Sequence, residues 1–232
     1  MVPEPELVER FRGDLDALIA PDAAVGIAVS GGPDSLALLL LSAAARPGRV
    51  AAATVDHQLR PESRTEAEMV TDVCERLGIP HAILSVQWDE KPATAVQERA
   101  RAARYALLGG WIEERNLRGL VTAHHLDDQA ETLLMRLNRG SGARGLAGMR
   151  AAARVPGSDD LPLLRPLLGW RRSELVEVCA AAGITPADDP SNADDQFERV
   201  RARRSLAAAE LDPAMLARSA AHLSPAQELA SR

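Results

Sequence analysis

The hexapeptide Ser30-Gly31-Gly32-Pro33-Asp34-Ser35 lies between two apolar runs, Val25–Val29 and Leu36–Leu41. That order spells a buried strand, a tight glycine turn, and a helix that begins inside the turn. A helix N-terminus gathers amide N–H groups and the positive end of the dipole at one point, which suits a phosphate. Gly31 and Gly32 let the backbone approach the anion closely, Pro33 completes the turn, and Ser30 and Ser35 add hydroxyl donors. Asp34 repels phosphates unless a cation such as Mg2+ lies between, so it is the candidate metal ligand. No Gly-Lys-Ser/Thr closes the loop, so it is not a Walker A loop. Ser and Asp also cap ordinary helices. Two glycines and three polar groups exceed what a cap requires.

Working outward from the loop, strands and helices alternate. Strands are expected at Val25–Val29, Val50–Val55, Ala82–Val86 and Leu120–Ala123. Helices are expected at Asp34–Ala45, Glu62–Leu77, Thr94–Asn116 (weakened at Gly109-Gly110) and Asp127–Arg139. The pattern predicts an α/β, Rossmann-like fold, a doubly wound parallel sheet with helices on both faces. Ligands of such sheets bind beyond the carboxyl ends of the strands. Three polar clusters fall there: Ser30–Ser35, Asp56-His57 and His124–Asp128.

After Arg139 the character changes. Residues 140–148 hold four glycines in nine, too flexible a stretch for a regular element and suited to mould to a ligand. Ala151–Leu168, with three prolines, reads as a short hairpin or extended loop. Helices are expected at Arg171–Ala182, Asp195–Ala209 and Pro213–Leu223, with frayed residues beyond. A main domain is expected over 1–210, whose 140–210 part is an extension, and a short C-terminal helical tail over 211–232.

Composition narrows the class. The chain has 46% apolar residues, ample for a core, but 3% aromatics, so that core rests on Ala, Leu and Val. No run of about 18 apolar residues exists, and the first twelve residues have no apolar signal region; a cytoplasmic location is expected. Cys74 and Cys179 are far apart in helical contexts, which argues against a disulfide framework and a zinc site. Net charge is −6, which taken whole argues against nucleic acid. Its distribution reverses that: Thr132–Arg172 carries +6 and the rest −12, and Arg199, Arg201, Arg203 and Arg204 form a second cluster. Arginine stripes on an acidic body suggest a confined phosphate-binding surface.

His124-His125-Leu126-Asp127-Asp128-Gln129-Ala130-Glu131 opens the helix after the fourth strand. Ala130, Leu133, Leu134 and Leu137 share its core stripe, while Asp128, Glu131, Met135 and Arg139 fall on another side. Two carboxylates three residues apart therefore project together. Acids in a first helical turn also favour the dipole. The histidine pair lacks a third ligand at zinc spacing.

The hexapeptide resembles the SGGxDS loop of the N-type ATP pyrophosphatases, which cleave ATP between the α- and β-phosphates. Ala123–Thr132 and Met135–Gly142 resemble the hallmark segment of the tRNA(Ile)-lysidine synthetase family. Val55-Asp56-His57-Gln58-Leu59-Arg60, Ala102-Ala103-Arg104-Tyr105, Leu164-Arg165-Pro166-Leu167-Leu168 and Asp189-Pro190-Ser191-Asn192 followed by Phe197-Glu198-Arg199 agree with it. The similarity runs from about Ala24 to Arg204. It implies an adenine nucleotide alpha hydrolase-like fold and a ligase that adenylates the wobble cytidine of a CAU-anticodon tRNA(Ile), then attaches L-lysine to its C2.

In that scheme ATP lies along Ser30–Ser35 with Asp34 holding Mg2+. Asp56, His57 and His124 lie near the nucleotide. Asp128 and Glu131, with Asp127 the weaker candidate, hold the lysine ammonium, and one accepts its proton. Arg104 contacts phosphate or a reacting intermediate. Arg136, Arg139, Arg144, Arg165, Arg199, Arg201 and Arg203 meet the tRNA. Two departures stand out. Many family members continue into one or two C-terminal domains, whereas this chain ends at Arg232, as a short form or a fragment. Arg199 is followed by Val200 where an Arg-Asn pair is frequent. The rival readings are a tRNA 2-thiolation enzyme, which needs a reactive cysteine pair or iron–sulfur cluster, and a non-catalytic RNA-binding relative. Oligomeric state stays open, a homodimer among the options.

Overall fold

The computed structural model describes residues 2–59, 62–88, 94–187 and 198–230, side chains at 144 and 224–230 excepted. Arg60, the 189–192 motif and Phe197 lie outside them. The chain divides into two compact units. The first comprises Met1–Ala123, Ala151–Pro166 and Leu175–Ala187; the second comprises His124–Arg150, Leu167–Glu174 and Asp188–Arg232.

The first unit holds a six-stranded sheet: β1 (Val25–Ala28), β2 (Val50–Asp56), β3 (His81–Ser85), β4 (Leu120–Val121), β5 (Ala152–Arg154) and β6 (Pro162–Leu164), in the order β3-β2-β1-β4-β6-β5. All neighbours pair in parallel except β5 with β6. The 151–168 segment is thus a hairpin that extends the same sheet, adding an antiparallel edge to the expected parallel one. The sequential order reverses beside β1, which puts the Ser30–Ser35 turn at the topological switch point where such sheets bind ligands.

Helices α1 (Pro5–Asp16), α2 (Pro33–Ala45), α3 (Glu62–Leu77), α4 (Val96–Glu114) and most of α7 (Arg172–Ala181) belong to this unit. α2 is buried almost all round, because Leu36–Leu41 has no polar face. α4 runs straight through Gly109-Gly110. Each glycine costs about 1 kcal/mol against alanine, but Tyr105, Leu108, Trp111 and Ile112 bury against Ala51, Ala53, Leu120 and Leu163. Burial of each large side chain returns about 1.5–3 kcal/mol, so packing outweighs propensity. α4 lies flush on β1: a Cβ at Gly26 would sit 2.3 Å from Ile112 Cδ1. The buried Arg46, one residue past α2, donates to Ala20 O (2.9 Å), Ala23 O (3.0 Å) and Asp16. It ties the α1–β1 connection to the end of α2.

The second unit is helical: α5 (Leu126–Asn138), α6 (Ala143–Leu146), α8 (Glu198–Ala208) and α9 (Pro213–Ala230). α5 packs against both α8 and α9, and α9 continues past Leu223. The glycine-rich stretch departs from expectation. It contains the helical turn α6 and is tied to α5. Gln129 exchanges two hydrogen bonds with Met149 (2.8 and 2.6 Å), and Arg136 Nη1 donates to Gly145 O (2.6 Å) and Gly148 O (3.2 Å). Side chains outside the glycine stretch supply the order that its own composition lacks. Among the described residues no helix is long and apolar enough to cross a membrane.

Candidate active site

Gly31 adopts φ +86°, a backbone conformation that side chains resist, and its absent Cβ would meet Met69 Cε at 3.3 Å. Gly32 is the N-cap of α2, Pro33 opens it, and Asp34 and Ser35 complete its first turn. The Ser35 hydroxyl donates to Gly32 O (3.0 Å) and accepts from Ser30 N (3.1 Å), closing the turn on itself. Two anchors hold the turn from behind: Ala187 N donates to Gly31 O at 3.0 Å, and the Cys179 thiol donates to Pro33 O at 3.2 Å. Burial, with Asp34 nearby, pushes that thiol up to about 11, so it stays protonated and a donor. No sequence signal pointed to either anchor, since both come from the remote 175–187 segment.

The β2 strand end carries the next of the expected nucleotide-side residues. Asp56 Oδ1 accepts from Gln58 N (2.9 Å) and Ser63 Oγ (2.6 Å), so this carboxylate shapes the β2–α3 connection. His57 is half-buried; burial and then the Arg104 guanidinium push its pKa down against the pull of Asp56. Arg104 stacks on Tyr105, 5.1 Å from the ring centroid. Arg165, expected on an RNA-facing surface, is 8% exposed, and its neighbours are Tyr105 and Arg101. Burial removes it from that surface.

In the second unit α5 presents the acids. Glu131 is 1% exposed and accepts from Arg203 Nε at 2.8 Å, with Arg199 Nε at 3.8 Å. Asp128 Oδ1 accepts from Arg199 Nη1 (3.1 Å) and its Oδ2 from His125 N (3.1 Å). Arg199 and Arg203, four apart on α8, match Asp128 and Glu131, three apart on α5. Helical spacing of the two arginines was the available signal, masked by their reading as RNA contacts. Burial raises the Glu131 pKa, and Asp128 adds to the shift, although both arginines oppose it. Asp127 is committed elsewhere: its Oδ2 accepts from Arg172 N at 2.9 Å, at the start of α7. Burial opposes its charge, but the bonds from His125 and Arg172 N hold it below the usual carboxylate range.

The expected RNA contacts also divide. Arg136 serves the 143–149 turn. Arg139 pairs with Glu198, and Arg201 is exposed. The Arg144 side chain lies outside the described residues. His124 is half-buried just before α5. Among the described residues no cluster of three or more His, Cys, Asp or Glu could cage a metal. The Asp34 carboxylate, in the first turn of α2, is of the kind that could hold Mg2+, which binds through one or two carboxylates plus substrate phosphates.

A family model described as the PP-loop domain matches residues 7–210. The chain is 55% identical to a tRNA(Ile)-lysidine synthase of Novosphingobium aromaticivorans over 94% of its length, covering 66% of that protein. It is 46% identical to that of Zymomonas mobilis over 90% of its length, covering 63% of it. The chain therefore spans somewhat less than two thirds of these curated relatives. Among solved structures it is similar to a U34-tRNA thiolase of Methanococcus maripaludis that carries a [4Fe-4S] cluster. The TM-score is 0.76 at 18% identity, over 96% of this chain and 79% of that one. An NH3-dependent NAD synthetase of Campylobacter jejuni matches with TM-score 0.53 at 14% identity, over 94% and 93%. At such identities the structural likeness speaks for the fold. The family resemblance read from Ser30–Ser35 and the α5 acids holds, and the chain belongs to the PP-loop domain family.

Proposed function

We propose that this chain carries the catalytic part of an ATP-dependent ligase that joins L-lysine to C2 of the wobble cytidine of a CAU-anticodon tRNA(Ile). The supporting observation is the coexistence of a phosphate loop and a buried carboxyl pair in a chain 55% identical to a curated tRNA(Ile)-lysidine synthase.

The Ser30–Ser35 turn would receive the triphosphate of ATP, its helix dipole and first-turn amides meeting negative charge. Asp34 would hold Mg2+, which neutralises charge on the departing pyrophosphate. Arg104, and His57 beside it, would lie along the nucleotide. The cytidine O2 attacks the α-phosphorus, one P–O bond forms, and the bond to pyrophosphate breaks. The lysine ε-amine then attacks C2 and AMP leaves with the former cytidine oxygen.

The nucleophile must be an uncharged amine, so a proton has to move first. Asp128 and Glu131 would receive the ammonium in place of the Arg199 and Arg203 guanidinium groups that these carboxylates bind here. Glu131 is the better proton acceptor, because its raised pKa brings the carboxyl closer to that of an amine. Arg139, Arg144 and Arg201 would meet phosphates of the tRNA; the exposed Arg139–Glu198 pair is weak enough to yield to one. A cytoplasmic location follows from such a substrate. A thiolation enzyme is not favoured: the two cysteines, Cys74 and Cys179, are both buried, and burial pushes their thiols up to about 12 and about 11.

The test is AMP and pyrophosphate release with CAU-anticodon tRNA(Ile), with and without lysine. Lysine-dependent AMP release with this tRNA and none with tRNA(Met) is the expected result. Release independent of tRNA, or none with either tRNA, overturns the reading.

A further inference from the structure

We propose that the Cys179 thiol and the Ala187 N–H are positioning groups for nucleotide phosphates: they hold the Ser30–Ser35 turn in its receptive shape before any ligand arrives. The inference rests on the reading of that turn as the ATP site. Gly31, Pro33, Cys179 and Ala187 all belong to the first unit.

The end of α7 builds the brace. Gly183 adopts φ +66°, its N–H donates to Ala180 O at 3.0 Å, and Ile184 N donates to Cys179 O at 3.1 Å. This is a Schellman closure, which stops the helix and fixes the direction of the chain beyond it. Ile184 is buried, so packing pins the closure as well. The chain beyond brings Ala187 N to Gly31 O at 3.0 Å. A Cβ on Gly31 would touch that of Ala187 at 3.6 Å, so the two backbones run close together. From within the helix, the Cys179 thiol donates to Pro33 O at 3.2 Å, and its sulfur also meets the Ala37 N–H. Pro33 O and Ala37 N are the two ends of the first helical turn of α2. The thiol therefore grips that turn from behind.

A buried free cysteine ordinarily fills space as a small apolar group. Cys179 is 2% exposed, yet its thiol ends on a carbonyl of the phosphate turn. Burial and the nearby Asp34 charge keep it protonated, hence a donor. Phosphate binding at a helix N-terminus needs amides already aimed at one point. Ordering a glycine turn at the moment of binding costs affinity. With Gly31 O and Pro33 O both held, Gly31 and Gly32 lose that freedom in advance.

Three variants separate a donor from a filler. Cys179→Val keeps an apolar side chain and removes the donor, Cys179→Ala removes both, and Cys179→Ser restores a donor. Each is read by amide exchange of residues 31–36 in the free protein and by calorimetry with a non-hydrolysable ATP analogue and Mg2+. Cys179→Val and Cys179→Ala should speed exchange in the turn and weaken the analogue about three- to tenfold, the loss of one hydrogen bond. Cys179→Ser should recover most of both. The contrast between Cys179→Val and Cys179→Ser decides the matter even if Cys179→Ala is unstable. A folded Cys179→Val with a lower melting temperature and unchanged analogue affinity makes the thiol a structural group and overturns the proposal. Equal weakening in Cys179→Val and Cys179→Ser overturns it too, because the donor then has no part. A wild type that binds no analogue rejects the ATP reading and the proposal with it, whereas a missing variant effect rejects the proposal alone.

Discussion

Arg203 Nε donates to Glu131 Oε1 at 2.8 Å, yet the Glu131 carboxyl has a raised pKa because it is 1% exposed. Desolvation outweighs the paired charges of Arg203 and Arg199, so the carboxylate is not fully stabilised. Folding therefore takes up a proton at Glu131. Its contribution is greatest below the ordinary glutamate range and is lost as pH rises through the elevated folded value. The difference in urea stability between wild type and Glu131→Gln should fall over that rise. Arg203→Gln should destabilise by about 1–3 kcal/mol near neutral pH and move the window upward. A pH-independent difference would mean Glu131 is not shifted.

Asp34→Ala should lower pyrophosphate release at least about a hundredfold, the loss typical of removing one preorganised charge-stabilising group, with the melting temperature retained. Gly31→Ala should cost about 1–2 kcal/mol of stability, because φ +86° penalises a Cβ, and should weaken ATP binding. Equal activity in Asp34→Ala would remove the loop from the chemistry.

Arg46→Ala should destabilise the protein by about 3–5 kcal/mol. The change leaves Asp16 and the carbonyls of Ala20 and Ala23 without their donor. Chemical denaturation measures it; a loss under about 1 kcal/mol would show that water replaces the guanidinium.

His81 receives or donates bonds at both ring nitrogens, Thr54 Oγ1 at 2.9 Å and Thr71 Oγ1 at 3.0 Å, and burial lowers its pKa. The unfolded chain then binds a proton that the folded chain refuses. Stability should fall as pH drops from the ordinary histidine range towards the lowered folded value. His81→Gln should flatten part of that slope; an identical slope would assign it to other groups such as His57.

Arg136→Ala should speed amide exchange across residues 143–149, whose carbonyls it holds. Loss of RNA affinity with unchanged exchange would restore it to the phosphate contacts.

Local pattern made most of the fold legible. The Val25–Val29 run, the glycine turn and the all-apolar Leu36–Leu41 could bury themselves in only one way, and the strand–helix alternation carried the sheet. Asp128 and Glu131 were legible because helical spacing alone puts them on one side of α5. Where reading failed, the missing quantity was a distant partner. Asp127 looked like a third substrate acid, but Arg172 N takes it. Arg136 looked like an RNA contact, but Gly145 and Gly148 take it. Gly140–Gly148 looked unstructured because composition cannot show that Gln129 and Arg136 clamp it.

The sequence by itself determined the phosphate turn, the parallel α/β architecture and the family, because periodicity and short motifs depend on neighbours within about four residues. Only the tertiary structure decided what each charged side chain is bound to. It seated Arg199 and Arg203 on the α5 acids, buried Arg165 beside Tyr105, and set Cys179 and Ala187 behind the turn at Pro33 and Gly31. A charge's strength and partner depend on burial and on residues that can lie over a hundred positions away, and no local pattern contains either.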